Sequence, residues 1–374
     1  MNKTKLFKII FPLLCLVISS CGGNENKKFT PGDDLTLTSI EMSEQYGEST
    51  LIQYRDYDIL IDSGTRNDAN HISEVLVEKV SDQTIDLLIV THPHGDHIGG
   101  IINGALDGFS IGTIVDYGYS FQTSDTGKIE NYTYVSSYIN WRNDNIQNGT
   151  TYYPITSALE KLKTITISKS DDLYLKWLKN DNYLSENETF PNSKIPTDNP
   201  NTTSVSCYIE YKNWRIILCG DIESSFAELS IVNNHQNLFK EQHRTMLKAN
   251  HHASSSSLGS NFLDWVNPEV VFTSSAMIDQ VAIPNQVELG SGSGQQDHPN
   301  KSTIKRIQNR TNQVYWNAIN GDVTLTIDGV NDCQMSGKGR NKNYFTTEGI
   351  EASVEQEKNV TFFNSAFYQH FLKK

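Results

Sequence analysis

The residue pattern predicts an α/β fold in which two β-sheets pack on each other with helices on both outer faces, a four-layer αββα sandwich. Strand-like runs and helix-period stretches alternate in two successive sets along the chain. The 374 residues, 37% of them hydrophobic and 10% aromatic, suffice for a real core in one large domain or two small ones. The chain holds no internal repeat.

The first set opens with strand-like Leu35–Ile40, Thr50–Tyr54 and Asp58–Ile61, continues with a helix-period stretch from His71 to Val80, and reaches the fully apolar strand Ile85–Val90. Another strand, Gly112–Asp116, follows. From 117 to 200 the chain turns polar, rich in Tyr, Asn, Ser and Asp, and reads as an insertion with helices near Tyr132–Ile146 and Leu173–Lys179. Its last part, Asn180–Asn201, carries Pro191, Pro196 and Pro200 and is expected to be loop. The second set comprises strands Ser204–Tyr211 and Trp214–Cys219, helix-like Ser224–Val232, strands Thr245–Lys248 and Glu269–Thr273, helix Lys301–Gln308, and the closing strands Gln313–Asn317 and Val323–Ile327. The Gly/Ser loop 289–294 is flexible by composition, and the tail 330–374 has no strong periodicity before an aromatic patch at Phe362–Phe371.

The N-terminus reads as an address. Lys3, Lys5 and Lys8 precede the apolar run Leu6–Ile18, which is too short to span a bilayer and fits a signal peptide over residues 1–20. The run ends Ile18-Ser19-Ser20-Cys21, which resembles the lipobox of bacterial lipoproteins. By that resemblance Cys21 is lipidated, 21–33 is a tether, and the folded part works in the cell envelope outside the cytoplasm, held to a membrane by its anchor. Removing the leader deepens the net charge from −13 to −16, which opposes binding of long duplex DNA. Cys207 and Cys219 flank a hairpin turning at Lys212-Asn213 in which 207 pairs with 218; their sulfurs then point to opposite faces, so no disulfide is expected.

Chemistry concentrates in Thr91-His92-Pro93-His94-Gly95-Asp96-His97, directly after a strand. Three imidazoles and a carboxylate in six residues are not core packing, because each buried polar ring needs a partner, and a metal supplies one. His92 and His94 share a face of an extended segment and can bind one ion, while Gly95 redirects Asp96 and His97 towards a second. A His/Asp set without cysteine suits two divalent ions, Zn²⁺ best, with Mn²⁺ or Fe²⁺ as alternatives.

This segment resembles the His-x-His-x-Asp-His signature of the metallo-β-lactamase superfamily, and further elements follow in order. Asp62-Ser-Gly64 after an apolar strand resembles its Asp-x-Gly element, whose aspartate orients a metal histidine; Gly220-Asp221 resembles its strand end, whose carboxylate bridges two metals; and His251-His252-Ala253-Ser254 resembles its late histidine motif. The resemblance spans roughly Asp34 to Gly329 and implies the four-layer sandwich. Its nearest branch is the hydrolase domain of ComEC-type DNA-uptake proteins, through Asn201-Thr-Thr-Ser204, His251-His-Ala-Ser254 and His298-Pro299. That implies supporting or substrate-facing roles for Asn201, Ser204 and His298. The chain departs from the branch at Ala253, where the branch has glycine, and has no histidine between Val115 and Gly220, where most members place the third ligand of the first metal. That site would rest on His92, His94 and Asp221 with solvent. Adjacent extended positions cannot both face one metal, so His252 is favoured as ligand and His251 for a supporting or substrate role.

Two cations sharing Asp221 would lower the pKa of a bridging water from about 15.7 to near 7, with Asp96 and Asp221 at the centre of the chemistry. Hydrolysis of a phosphodiester, in a small-molecule or nucleotide-type ester, is the expected reaction. A β-lactam or lactone hydrolase and a lipid-anchored binding module with a structural metal site are the competing readings. No obligate protein partner is inferred.

Overall fold

A computed structural model describes residues 34–43, 46–121, 132–240, 243–275, 298–329, 331 and 333–337. The leader, Cys21, the tether, the 289–294 loop and the 362–371 patch lie outside the described residues. None of the described helices is long and apolar enough to cross a membrane.

The first set of elements is β1 (Leu35–Ser39), β2 (Thr50–Tyr54), β3 (Tyr57–Ile61), α1 (Ala69–Lys79), β4 (Thr84–Val90), α2 (Gly95–Ile102) and β5 (Ser110–Asp116). The polar segment gives α3 (Tyr132–Gln147), β6 (Thr151–Pro154), α4 (Ile155–Lys161), β7 (Thr164–Ser168) and β8 (Leu173–Trp177). The second set is β9 (Cys207–Tyr211), β10 (Trp214–Leu218), α5 (Leu229–Asn234), β11 (Arg244–Lys248), α6 (Ser260–Val266), β12 (Val270–Thr273), α7 (Lys301–Gln308), β13 (Gln313–Trp316), β14 (Val323–Ile327) and β15 (Gln334–Gly337).

One sheet has eight strands in the order β15-β14-β1-β2-β3-β4-β5-β6, the other seven in the order β13-β12-β11-β10-β9-β8-β7. Apolar side chains from both sheets, among them Leu37, Ile61, Ile209, Ile216 and Met246, form one buried cluster between them. On the outer face of the first sheet, α1 buries Ile72, Val75 and Leu76 at the i, i+3, i+4 spacing of one helical face. On the outer face of the second, Ile217, Leu247 and Val271 pack with Phe262 and Leu263 of α6 and Ile304 and Ile307 of α7. The result is the expected α/β arrangement of two sheets between helices.

Three expectations need correction. Leu173–Lys179 is not helical: Leu173, Leu175 and Trp177 are buried while Tyr174 and Lys176 are half-buried, a period of two, and β8 pairs with β9. A short apolar run suits either period, and the waiting edge of β9 decides it. The segment 117–200 is only partly an insertion, because β6 extends the first sheet and β7 and β8 extend the second. The tail begins inside the fold, since β15 pairs with β14 beyond Gly329. The hairpin register does pair Cys207 with Leu218, and Cys207, Cys219 and Cys333 are free thiols.

The parallel strands β3, β4 and β5 of one sheet and β10, β11 and β12 of the other place their C-terminal ends at one edge of the sandwich, the usual position for a site in parallel sheets. Two close approaches hold that edge together. A Cβ on Gly100 would lie 2.0 Å from Ser63 O, so only glycine lets α2 settle on the turn after β3. Gly220, at φ +56°, would bring a Cβ to 2.8 Å from Thr91 Cβ and 3.1 Å from Ser204 Cβ, where the two sheets meet.

Asp58 at the far end of β3 is 3% exposed, and burial, with Asp86, Asp82 and Asp56 nearby, pushes its carboxyl up to about 7 although Gln53 Nε2 donates to it at 2.8 Å. A carboxyl that holds its proton more tightly folded than unfolded loses stability as pH rises from about 4 to about 7 and changes little above. Asp58→Asn keeps an acceptor for Gln53 and removes the buried charge. We expect its advantage over the native protein to grow across that window to about 1–3 kcal/mol at pH 8, read as urea midpoints against pH. A constant difference at all pH values would contradict this.

Candidate metal centre

The site is built from strand ends. After β3 the chain turns sharply at Asp62, φ 57°, and the buried carboxylate accepts from Thr91 N at 2.8 Å and Thr91 Oγ1 at 2.6 Å. Its Oδ2 also lies 2.7 Å from His97 Nδ1. A carboxylate only accepts, so Nδ1 carries the proton and Nε2 is left with its lone pair, 3.2 Å from Asp221 Oδ2. Thr91, its own proton given to Asp62, accepts from His92 Nδ1 at 3.0 Å and leaves His92 Nε2 facing inward.

Asp221 follows the Gly220 turn after β10, with its backbone N–H donating to Ser204 Oγ at 3.2 Å. His252 Nδ1 donates to Ser274 O at 2.7 Å, so its Nε2 also points in, 3.2 Å from Asp221 Oδ2 and 3.4 Å from Asp96 Oδ2. Asp96, His97, Asp221 and His252 thus bring ligand atoms within 4.8 Å of one another. His92 Nε2 and His94 Nδ1 stand 3.1 Å apart, with His92 Nε2 4.0 Å from Asp221 Oδ2. Two nitrogens on one tetrahedral Zn²⁺ with bonds of about 2.0–2.1 Å would stand about 3.3 Å apart.

At His251 the backbone differs from the extended path that the sequence suggests. Residues 251, 252 and 253 all have positive φ, at 45°, 50° and 58°, so the two histidines are not extended and both reach inward. His251 Nε2 lies 3.9 Å from Asp221 Oδ2 and 3.3 Å from Asn201 Nδ2, while its Nδ1 faces Ser254 Oγ at 3.1 Å and Glu223 Oε1 at 3.3 Å. His298 packs against the pair, its ring centroid 4.9 Å from that of His251 and 5.9 Å from that of His252. Every site residue named from the sequence within the described region therefore converges here: Asp62, His92, His94, Asp96, His97, Asn201, Ser204, Asp221, His251, His252 and His298.

The electrostatics fit a cation. Burial, then His97 and His94, push His92 far below the ordinary imidazole value, so it is neutral and can donate a lone pair. His94 is lowered too, mainly by burial. Burial opposes ionisation of Asp96 and Asp221, but neighbouring imidazoles outweigh it and hold both carboxyls well below their usual range. Burial likewise disfavours charge on His97 and His252, yet Asp221 leads the carboxylates that raise both, His252 to about 9. Protons thus balance charges that a divalent ion would otherwise balance. Asp221 Oδ1 and His252 Nε2 are buried with no hydrogen-bond partner among the described residues, which suits ligand atoms.

Sequence reasoning missed the support around this centre. Lys248 is wholly buried, ion-paired with Glu48, 3.6 Å from Asp221 Oδ1, and donates to Gly220 O at 3.1 Å. Glu228 accepts from Asn250 Nδ2 at 2.8 Å and from Leu258 N and Gly259 N at 2.6 and 2.9 Å, pinning both ends of the histidine turn. A lysine inside the apolar strand Arg244–Lys248 was the one available signal; Glu48 and Glu228 carried none.

A profile of the Metallo-beta-lactamase superfamily matches residues 43–251, from before the Asp62 turn to His251. The chain belongs to the metallo-β-lactamase superfamily. It is a metal-dependent hydrolase of that fold, and the two-sheet sandwich agrees with it. Similar solved structures include the metallo-β-lactamase fold protein YhfI from Bacillus subtilis, at 12% identity and TM-score 0.41 over 75% of this chain and 95% of that one. A diphosphatase of the PhnP family is similar at 12% and 0.39 over 78% and 97%, and the short form of human tRNase Z at 11% and 0.35 over 75% and 93%. No curated protein matches the sequence significantly.

Asp62→Asn would place an amide N–H against His97 or against Thr91 and favour the wrong imidazole tautomer. We expect metal affinity to fall about 10–100-fold in competition with a chromogenic chelator, with the melting transition still cooperative. Unchanged affinity would mean that His97 is oriented by something other than Asp62.

Proposed function

We propose that this metallo-β-lactamase-fold hydrolase is a phosphodiesterase of the ComEC-like branch, acting on a nucleotide or head-group ester. The observation that carries the reading is His298, a buried imidazole packed on the rings of His251 and His252. A phosphodiester is anionic, and its leaving alkoxide needs a proton, so an extra imidazole N–H beside the ligand set serves both charge and leaving group. The three signatures of the branch also meet at this one place, with Asn201 against His251, Ser204 accepting from Asp221 N, and His298 against His251.

His97, His252, Asp96 and Asp221 would hold one divalent ion, and His92 and His94, sharing Asp221, the other. Divalent ions there supply Lewis acidity and a water deprotonated near neutral pH. The chain's own groups divide the remaining work. Asp62 and Ser274 O fix the tautomers of His97 and His252, Asp96 orients the attacking water, and His298 protonates the departing oxygen. The net charge of −16 without the leader favours short or small substrates over long duplexes.

The test is hydrolysis of a chromogenic phosphodiester beside a chromogenic cephalosporin, with elemental analysis of the same samples. We expect phosphodiester turnover, abolished in Asp96→Ala, and a kcat lower by about 10²-fold or more in His298→Ala at unchanged metal content. Preference for the cephalosporin, or His298→Ala with native turnover, would overturn the reading.

A further inference from the structure

The two candidate ion positions are unequally provided. One has four protein donors in Asp96, His97, Asp221 and His252. The other has His92 and His94 with a share of Asp221, one nitrogen short of a closed tetrahedral set. Four imidazole nitrogens surround the single oxygen Asp221 Oδ2, and they fall into two pairs. His97 and His252 stand at 3.2 Å, whereas His92 and His251 stand at 4.0 and 3.9 Å. The nearer pair also faces Asp96, at 3.7 and 3.4 Å; His251 instead turns to Asn201 and Glu223.

We propose that His251 supplies the missing donor, so that His92, His94, His251 and Asp221 hold one ion while Asp96, His97, His252 and Asp221 hold the other. The left-handed turn through 251–253 makes this feasible, because it swings two adjacent side chains onto one carboxylate oxygen from different directions. The ring is set for it. Glu223 Oε1 and Ser254 Oγ face Nδ1, and since a carboxylate only accepts, the proton sits there and Nε2 keeps its lone pair. Asn201, 2% exposed, has its amide against that Nε2, and its Oδ1 is buried with no hydrogen-bond partner among the described residues. It is the neighbouring group that can orient His251 or a water at the same ion. The strain of three consecutive non-glycine residues at positive φ is thereby tied to a ligand role for both histidines.

This assignment rests on the dinuclear reading of the centre, and its test reads metal, not turnover. The full chain, stripped with chelator, is titrated with Co²⁺ while visible absorption and elemental content are followed, for the native protein, His251→Ala and His251→Gln. Native protein is expected to take up about two ions per chain. Each variant should keep one at native affinity and hold the other about 100-fold more weakly, with a changed Co²⁺ spectrum. Thermal melts establish folding, and Gln, similar in bulk, decides if Ala does not fold. Two ions bound by the Gln variant with native affinities and spectrum would overturn the assignment. Native protein that binds two ions yet cleaves no phosphodiester would refute the substrate reading and leave His251 in place; native protein that binds none would refute both.

Discussion

One carboxylate oxygen, Asp221 Oδ2, is the point on which the rest depends. Four imidazoles from two segments, the one after β4 and the turn after β11, bring their nitrogens near it. Buried at 1% exposure, such a carboxylate among neutral rings would be costly without compensating charge; Asp221 accordingly raises His97 and His252, which in the absence of an ion can take up a proton in its place. The surrounding packing serves to keep this convergence in place. Gly220 lets the end of β10 approach Thr91, Thr91 O accepts from Val205 N at 2.9 Å, and Ser204 receives the Asp221 N–H.

From that point outward four of the converging groups have a dedicated support. Asp62 holds His97, Ser274 O holds His252, Glu223 and Ser254 hold His251, and the Glu48–Lys248 pair sits behind Asp221. Burial opposes the charge on Lys248, but Glu48 and Asp221 outweigh it and raise the lysine above its ordinary value. The pair therefore presents a fixed positive group to the Asp221 oxygen that faces away from the imidazoles. Supports of this kind fix ring orientation before any ion arrives, which is the usual condition for tight and geometrically selective binding.

Much of this was legible in the sequence because the chemistry is local. His92 to His97 are contiguous on one strand end, Gly220-Asp221 closes an apolar strand, and β14, Val323–Ile327, alternates as expected. What could not be read depends on contacts between distant segments. Leu173–Trp177 became a strand because β9 offers it an edge, and Glu48 meets Lys248 only when the two sheets close. The histidine turn is the sharpest case. Nothing in Asn250-His-His-Ala signals three left-handed residues, since non-glycine side chains rarely adopt them; the Glu228 carboxylate and the Gly220 carbonyl impose the turn from outside.

The most direct test of the account is the metal content of the purified chain beside that of Asp221→Asn, with thermal melting of both. The account predicts about two divalent ions per native chain and loss of most of that content in the variant, whose transition stays cooperative. A native chain that stays free of metal in metal-replete medium, or a variant that holds as much as the native protein, would contradict it.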